Sequence, residues 1–272
     1  LFRSGSGRVP LPIDRTLPGF HHLGDASLRV RRKGETRWAS YSTVVRGPWT
    51  TPACGQEPDA SKRPKVETDA SGRAHSADVS GCLTPSGSPV TLARKVKVDA
   101  NEALIEWTIT NVHSAEVTVG GFGVSMPFNQ MFTGRSLPDV SARCSFTEPY
   151  VGGGAGYVQV TRASGEGPVL LVLLEAPGGG GLEAWRPLQG GDRANYDWMH
   201  EMLYEALFHS KAHQDDEWKP RGTPPTAAQP WLPPTEVTLP PGATRTYRAR
   251  FRLAPNVEAV TAALLAAGRP VA

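Results

Sequence analysis

The chain has 272 residues, of which 39% are hydrophobic and 20% charged, and its formal net charge is +3. This length allows one large domain or two ordinary ones, with a core that needs no disulfide or metal support. No apolar run approaches the roughly 18 residues that cross a bilayer, so no membrane partner is expected. The sequence also lacks the broad basic patch or recognition motif of a nucleic-acid-binding protein, so no nucleic-acid partner is expected.

Glycine and proline are unusually frequent, with 29 and 25 residues. Together they make up about a fifth of the chain, against a usual share of roughly 12%. Such frequent breaks favour short strands joined by tight turns over a helical bundle. The first alternating apolar pattern runs from Ala26 to Val45, with Gly34 as the turn between two strands.

Further strand patterns follow along the chain, at 75–83, 89–98, 103–110, 116–119, 142–146, 156–162, 169–175 and 244–253. The segment 169–175 is a continuous apolar run, which is typical of a strand buried on both faces. In the last segment, Tyr247, Ala249, Phe251 and Leu253 are predicted to share the dry face. Strands in unbroken series predict a mainly β fold, a large antiparallel sandwich with one or two short helices.

Two segments have helical patterns. Residues 255–267 are amphipathic, and residues 195–211 contain no Gly or Pro and repeat apolar residues at helical spacing, at Met199, Met202, Leu203, Ala206 and Leu207. The remaining surface of the second predicted helix mixes aromatic rings with titratable groups. That mixture favours a ligand-facing or interdomain surface over an ordinary solvated one.

The candidate substrate-binding residues lie on and just after this segment: Trp198, His200, Glu201, Tyr204, Glu205, His209 and Trp218. On a helix Glu201 and Glu205 would be neighbours, and the rings would offer an apolar platform for a pyranose face. The alternative is that this face packs against another domain. The string from His200 begins like the zinc motif HExxH, but Tyr204 stands where the second histidine must be, so no metal site is predicted. No cofactor is expected, and no catalytic residue is assigned.

Two smaller features have structural interpretations. Gly120, Gly121 and Gly123 indicate a bulge or close strand packing rather than a phosphate loop, because no Lys-Ser/Thr follows them. Cys54 and Cys82 lie in Gly/Pro/Ser-rich segments, so one disulfide and free thiols both remain open.

Five strings carry a resemblance to an uncharacterised family of large, mostly secreted fungal and bacterial proteins. They are PGFHHLGDASLRVR (18–31), TNVHSAEVTVGGFGVSMPFNQMFTGR (110–135), EPYVGGGAGYVQV (148–160), WMHEMLYEALFHSKA (198–212) and LPPGATRTYRARFRLA (239–254). The resemblance implies an N-terminal β-supersandwich of the galactose-mutarotase-like type, followed by a helical toroid similar to the (α/α)6 barrels of glycosidases. It also implies a secreted protein, and it assigns no catalytic residue.

These features together give the expected organisation: an extension at 1–17, a β-supersandwich at 18–254 and a helical linker at 255–272 that leads toward a toroid. The leading hypothesis is a module of a carbohydrate-active, glycoside hydrolase-like protein that buttresses the toroid and lines a sugar cleft. One alternative is a self-sufficient sugar-binding or mutarotase-like protein, using His200 or His209 with Glu201 or Glu205. The other is an interdomain scaffold.

Overall fold

The structure is a computed structural model. It describes residues 23–43, 60, 63–82, 87–99, 102–128, 132, 134–152, 156–187, 204–216 and 232–269. The candidate residues Trp198, His200, Glu201 and Trp218 lie outside these ranges, as do Cys54 and the side chain of Cys82, so the disulfide question stays open. Cys144 is buried, and its Sγ accepts a hydrogen bond from Arg135 at 3.2 Å.

Fourteen strands and three short helices make up the regular structure of the described residues. The strands are β1 (Ala26–Arg32), β2 (Ala39–Ser42), β3 (Lys65–Thr68), β4 (Ala74–Asp78), β5 (Val90–Val98), β6 (Glu102–Asn111), β7 (Val117–Ser125), β8 (Ser145–Tyr150), β9 (Tyr157–Arg162), β10 (Val169–Glu175), β11 (Ala184–Pro187), β12 (Tyr204–His209), β13 (Val237–Leu239) and β14 (Thr244–Ala254). The helices are α1 (Leu137–Arg143), α2 (Lys211–Asp216) and α3 (Val260–Ala266).

The strands form two antiparallel sheets, which confirms the predicted mainly β sandwich. The six-stranded sheet has the order β11-β12-β7-β1-β2, with β13 also paired to β7. The eight-stranded sheet has the order β3-β4-β5-β6-β14-β10-β9-β8. Strand β7 is central to the first sheet, because one of its edges pairs with β1 and the other with β13 and then β12.

Aromatic rings from both sheets meet in the core. Trp107 and Tyr247 come from the eight-stranded sheet, and Phe122 and Phe208 from the six-stranded one. Phe122 lies 4.8 Å from Tyr247, 5.3 Å from Phe208 and 6.4 Å from Trp107, measured between ring centroids. The indole of Trp107 donates a hydrogen bond to the Gly24 carbonyl at 2.9 Å, so its polar group is satisfied inside the core.

The prediction of a helix over 195–211 is wrong for the part of this segment that the structure describes, because residues 204–209 form strand β12. This strand is hydrogen-bonded to β11 on one side and β7 on the other, and five of its six residues are buried. A strand covered on both faces has no polar/apolar alternation, so its short apolar run also fits a helical period.

The predicted strand at 142–146 begins later than expected. Residues 137–143 form helix α1, and the strand starts at Ser145. The Ser136 side chain caps α1 by accepting a hydrogen bond from the Asp139 N–H at 3.3 Å, and a proline stands in the first turn.

Leu253 also departs from its predicted position on the dry face. It is 63% exposed, whereas Phe251 is 8% exposed.

Candidate functional site

The three closely spaced glycines of β7 form a smooth strip on the outer face of the six-stranded sheet, which we call the glycine floor (Gly120, Gly121 and Gly123). On the inner side of the same strand, Val117, Val119, Phe122 and Val124 belong to the core. Arg29 of β1 pairs with Gly121 and Val30 pairs with Val119, so Gly120 is the extra residue of a β-bulge. Of the two predicted alternatives, a bulge or close strand packing, the structure shows the bulge.

Each glycine of the floor accommodates a side chain from a different part of the fold. A Cβ added at Gly120 would overlap the Trp38 ring, and one added at Gly123 would overlap the Glu205 carboxyl group. At Gly121 it would lie 3.0 Å from Cβ of Arg29 and 3.2 Å from Nε2 of His213. The absent Cβ atoms therefore allow Trp38, Glu205 and His213 to converge on one strand.

The Glu205 carboxylate is held firmly at one end of this floor. It is 1% exposed, and it accepts hydrogen bonds from the Ser27 hydroxyl and from Nε of Arg186, the latter at 2.8 Å. A buried carboxylate without partners would be strongly unfavourable, so this ion pair with a second donor is what allows the charge to lie there.

At the other end, Trp38 lies within a group of charged residues. Its indole N–H donates to Asp215 at 3.3 Å, and the guanidinium carbon of Arg31 lies 4.3 Å from the ring centroid. Asp215 also accepts from Lys211. Arg29 pairs with Asp216 at 3.5 Å, and their side chains are 16% and 47% exposed. We call the four charged residues of this end the rim: Arg29, Lys211, Asp215 and Asp216.

This arrangement offers alternating donors and acceptors at its rim and a buried carboxylate on its floor. Glycoside hydrolysis requires two carboxyl groups facing each other across the scissile bond. Here Glu205 is engaged by Arg186, while Asp215 and Asp216 are engaged by Lys211 and Arg29. These three carboxylates are therefore held in ion pairs and do not by themselves form the acid/base pair that glycoside hydrolysis requires.

The predicted site residues that the structure describes do not form one surface. Glu205 faces outward onto the glycine floor. His209 reaches inward, where its Nε2 lies 2.7 Å from the Tyr247 hydroxyl and its Nδ1 lies 2.6 Å from Oγ1 of Thr235. Tyr204 stacks on Trp185 with ring centroids 5.2 Å apart. The pairing of His209 with Glu205 in the mutarotase-like alternative is thus not formed, because the two side chains leave β12 on different sides.

The residues that sequence patterns missed are Trp38, His213, Arg29 and Arg186. The sequence indicated them only indirectly, through the glycines of β7. Such glycines indicate that some group approaches the strand closely, but they do not identify the side chain.

Among the described residues there is no group of three or more His, Cys, Asp or Glu that could hold a metal ion. Within the same residues, none of the helices has the length and apolar character needed to cross a membrane.

Residues 11–272 match the model of a family of unknown function, DUF5695, and the chain therefore belongs to that family. No curated protein matches the sequence at a significant level.

The solved structures that match the chain include a polysaccharide lyase and a putative aldose 1-epimerase. The lyase matches at 13% sequence identity and a TM-score of 0.57, over 90% of this chain and 28% of the lyase. The epimerase, from Escherichia coli K12, matches at 12% identity and a TM-score of 0.39, over 88% of this chain and 82% of the epimerase. The chain thus spans less than a third of the lyase, and the likeness to the lyase is one of fold.

Proposed function

We propose that this chain is a β-sandwich module of a carbohydrate-active, glycoside hydrolase-like protein and that the outer face of its six-stranded sheet lines a sugar cleft. The observation that carries the proposal is the glycine floor, which brings Trp38, His213 and Glu205 from three separate elements onto one strand. Glycine in a strand interior often marks a place where other groups approach the backbone closely, and here that approach gathers aromatic and titratable side chains on one face of the sheet.

The rim suits a sugar chemically. A pyranose presents hydroxyl groups that both donate and accept hydrogen bonds, and the rim supplies donors from Arg29 and Lys211 and acceptors from Asp215 and Asp216. Trp218 follows Asp216 by two residues in the sequence, and we keep it in the proposed site together with Trp198, His200 and Glu201. The rings of Trp198 and Trp218 would supply the apolar platform that the rim itself lacks, while His200 and Glu201 would add hydrogen-bonding groups.

The structural likeness adds limited support for the substrate class. The lyase is named for an activity on polysaccharides, and it shares the fold over nearly the whole of this chain. Fold alone does not determine function, so the reaction itself is left open. We further propose that a helical toroid follows the module in the secreted full-length protein and supplies the catalytic groups.

The test is a glycan array with this chain, together with an oligosaccharide-release assay on the chain and on a version extended beyond residue 272. We expect glycan binding by both proteins and hydrolysis by the extended one. In the chain, Arg29→Gln and Asp216→Asn should each weaken binding about tenfold, since each removes charged hydrogen-bonding capacity from the rim.

The matched control is Arg248→Gln, which also removes an arginine from a strand ion pair but in the other sheet, where Arg248 bonds to Glu106 at 2.9 Å. It should leave glycan binding unchanged. Equal binding by the rim variants and the wild type would refute the proposed cleft. Hydrolysis or anomer interconversion by the 272-residue chain alone would refute the accessory role.

One observation favours the scaffold role as a second candidate. Leu253, Val257 and Leu265 are 63%, 43% and 57% exposed at and beyond the end of β14, on or near α3. Such apolar exposure is typical of surfaces that contact another domain. If neither the chain nor its extended form bound any glycan, buttressing would be the better account of the module.

A further inference from the structure

A cavity of about 610 Å³ opens at one end of the sandwich, between the two sheets. Its wall is formed by the loop 176–183, the end of β12, residues 232–237 and the start of β14. This volume lies within the range of roughly 300–1,000 Å³ typical of small-molecule sites. The cavity is inside the sandwich, whereas the glycine floor is on its outer face.

A single arginine enters this cavity from the core side of β14. Arg245 lies two and four residues before Tyr247 and Ala249, both of which are fully buried, so all three side chains leave the strand on its inner face. Arg245 lines the cavity and is itself half-buried. A cation at a core-facing position of an interior strand is costly unless it finds a compensating anion or water.

The carboxylates around the cavity are already engaged by other groups. Glu183 accepts hydrogen bonds from the Ser210 hydroxyl at 2.8 Å and from the backbone N–H and hydroxyl of Thr235. Glu236 pairs with Arg31 at 3.8 Å. Over the described ranges of the chain, no carboxylate lies within the 4.0 Å ion-pair distance of Arg245.

Two neutral side chains beside Arg245, His209 and Tyr247, are fixed in place by hydrogen bonds. Burial, with a further contribution from the positive charge of Arg245, lowers the pKa of His209. Burial raises the pKa of Tyr247, and the charge of Arg245 opposes that rise. The Thr235 hydroxyl donates to Glu183, so its oxygen accepts a hydrogen bond from Nδ1–H of His209. Nε2 of the neutral imidazole then accepts a hydrogen bond from the Tyr247 hydroxyl. The Arg245 guanidinium in turn donates a hydrogen bond to the Tyr247 oxygen, which leaves its other N–H groups as the donors available to a ligand.

We propose that this end cavity binds a small organic carboxylate of about the size of a hexuronic acid, with the Arg245 guanidinium as its anion-binding group. The planar fork of arginine matches the two oxygens of a carboxylate. Phe208, Leu232, Pro233 and Val237 form the apolar part of the wall, which suits the carbon skeleton of an organic acid better than a bare inorganic anion. The site does not depend on the proposed sugar cleft, so either proposal can fail alone.

The test is isothermal titration of the chain with sodium D-glucuronate, with D-glucose as the ligand control, because the two sugars differ only in the carboxylate. We expect glucuronate to bind and glucose not to bind. Arg245→Gln should weaken glucuronate binding about ten- to a hundredfold, the effect of losing a charge-assisted hydrogen bond. Arg245→Lys should be intermediate, since it keeps the charge and loses the fork.

The matched variant is Arg248→Gln on the outer face of the same strand, which should bind glucuronate like the wild type. Thermal unfolding of each variant shows whether it is folded, and if Arg245→Gln is not, Arg245→Lys decides. Equal affinity for glucose and glucuronate, or unchanged affinity in the Arg245 variants, would overturn the proposal. So would inorganic phosphate displacing glucuronate at equal concentration, because the apolar wall would then contribute nothing.

Discussion

The glycine floor shows how single residues determine what can reach the outer face of the sheet. Gly120 is the extra residue of the bulge opposite Arg29 and Val30, and the Trp38 ring occupies the space where its Cβ would be. The ring is also fixed from other directions, by Asp215 at its indole nitrogen and by Arg31 over its face. A change at Gly120 therefore acts on the proposed cleft through Trp38.

We expect Gly120→Ala to destabilise the protein by about 1–3 kcal/mol, the usual cost of overpacking a well-ordered contact. Urea denaturation measures the free energy of unfolding. The control is the double variant Gly120→Ala with Trp38→Ala, in which the methyl group meets no ring. Its loss should be smaller than the sum of the two single losses, since the clash depends on both residues. Strictly additive losses would show that the ring does not occupy this space.

At the scale of elements, β12 and β14 are joined across the sandwich by His209 and Tyr247. The histidine is 9% exposed and both ring nitrogens are hydrogen-bonded. Burial, with a further contribution from the charge of Arg245, lowers the pKa of His209 from 6.5 to about 4. The neutral imidazole is therefore the form that holds the two strands together.

This lowered pKa predicts a specific loss of stability in acid. Between about pH 6.5 and pH 4 the unfolded chain binds a proton at His209 that the folded chain does not, so the free energy of unfolding falls as the pH falls through this range. The loss reaches about 3 kcal/mol below pH 4. Above pH 6.5 the group makes no pH-dependent contribution.

Urea denaturation at several pH values from 4 to 7.5 tests this prediction. His209→Gln should lower stability near neutral pH and flatten the pH dependence over the acid range. His75→Gln removes an exposed histidine from β4 and should leave the slope as in the wild type. An unchanged slope in His209→Gln would mean that another group carries the acid sensitivity.

The same two strands show what sequence patterns can and cannot predict. β14 was predicted because its inner and outer residues alternate, which a strand with one wet face requires. β12 was misread as a helix because it is covered on both faces and so shows no alternation. Glu205 was predicted as a site residue and lies against the glycine floor, but its partners Ser27 and Arg186 come from other strands, and local periodicity carries no information about such contacts.

At the scale of the whole molecule, β10 connects two hydrophobic clusters. Its Val172 and Leu174 belong to the main core between the sheets, while Leu171 and Leu173 pack on the other side with Leu264 of α3. The continuous apolar run at 169–175 predicted burial on both faces, and the structure confirms it. Arg269, just after α3, adds a hydrogen bond to the Leu174 carbonyl at 2.7 Å. The helix should therefore unfold together with the sandwich.

We expect Leu264→Ala to lower the unfolding midpoint of the whole domain and not only that of α3. Leu264 is 1% exposed, so its truncation should cost about 2–5 kcal/mol. Tryptophan fluorescence, which includes the core residue Trp107, and far-UV circular dichroism should report the same shifted midpoint, as a two-state transition requires. The adjacent control, Leu265→Ala, removes a side chain that is 57% exposed and should change stability by no more than about 0.5 kcal/mol. If Leu264→Ala produced a separate early transition in circular dichroism while the fluorescence midpoint stayed in place, α3 would be an independent unit, and β10 would not couple the two clusters.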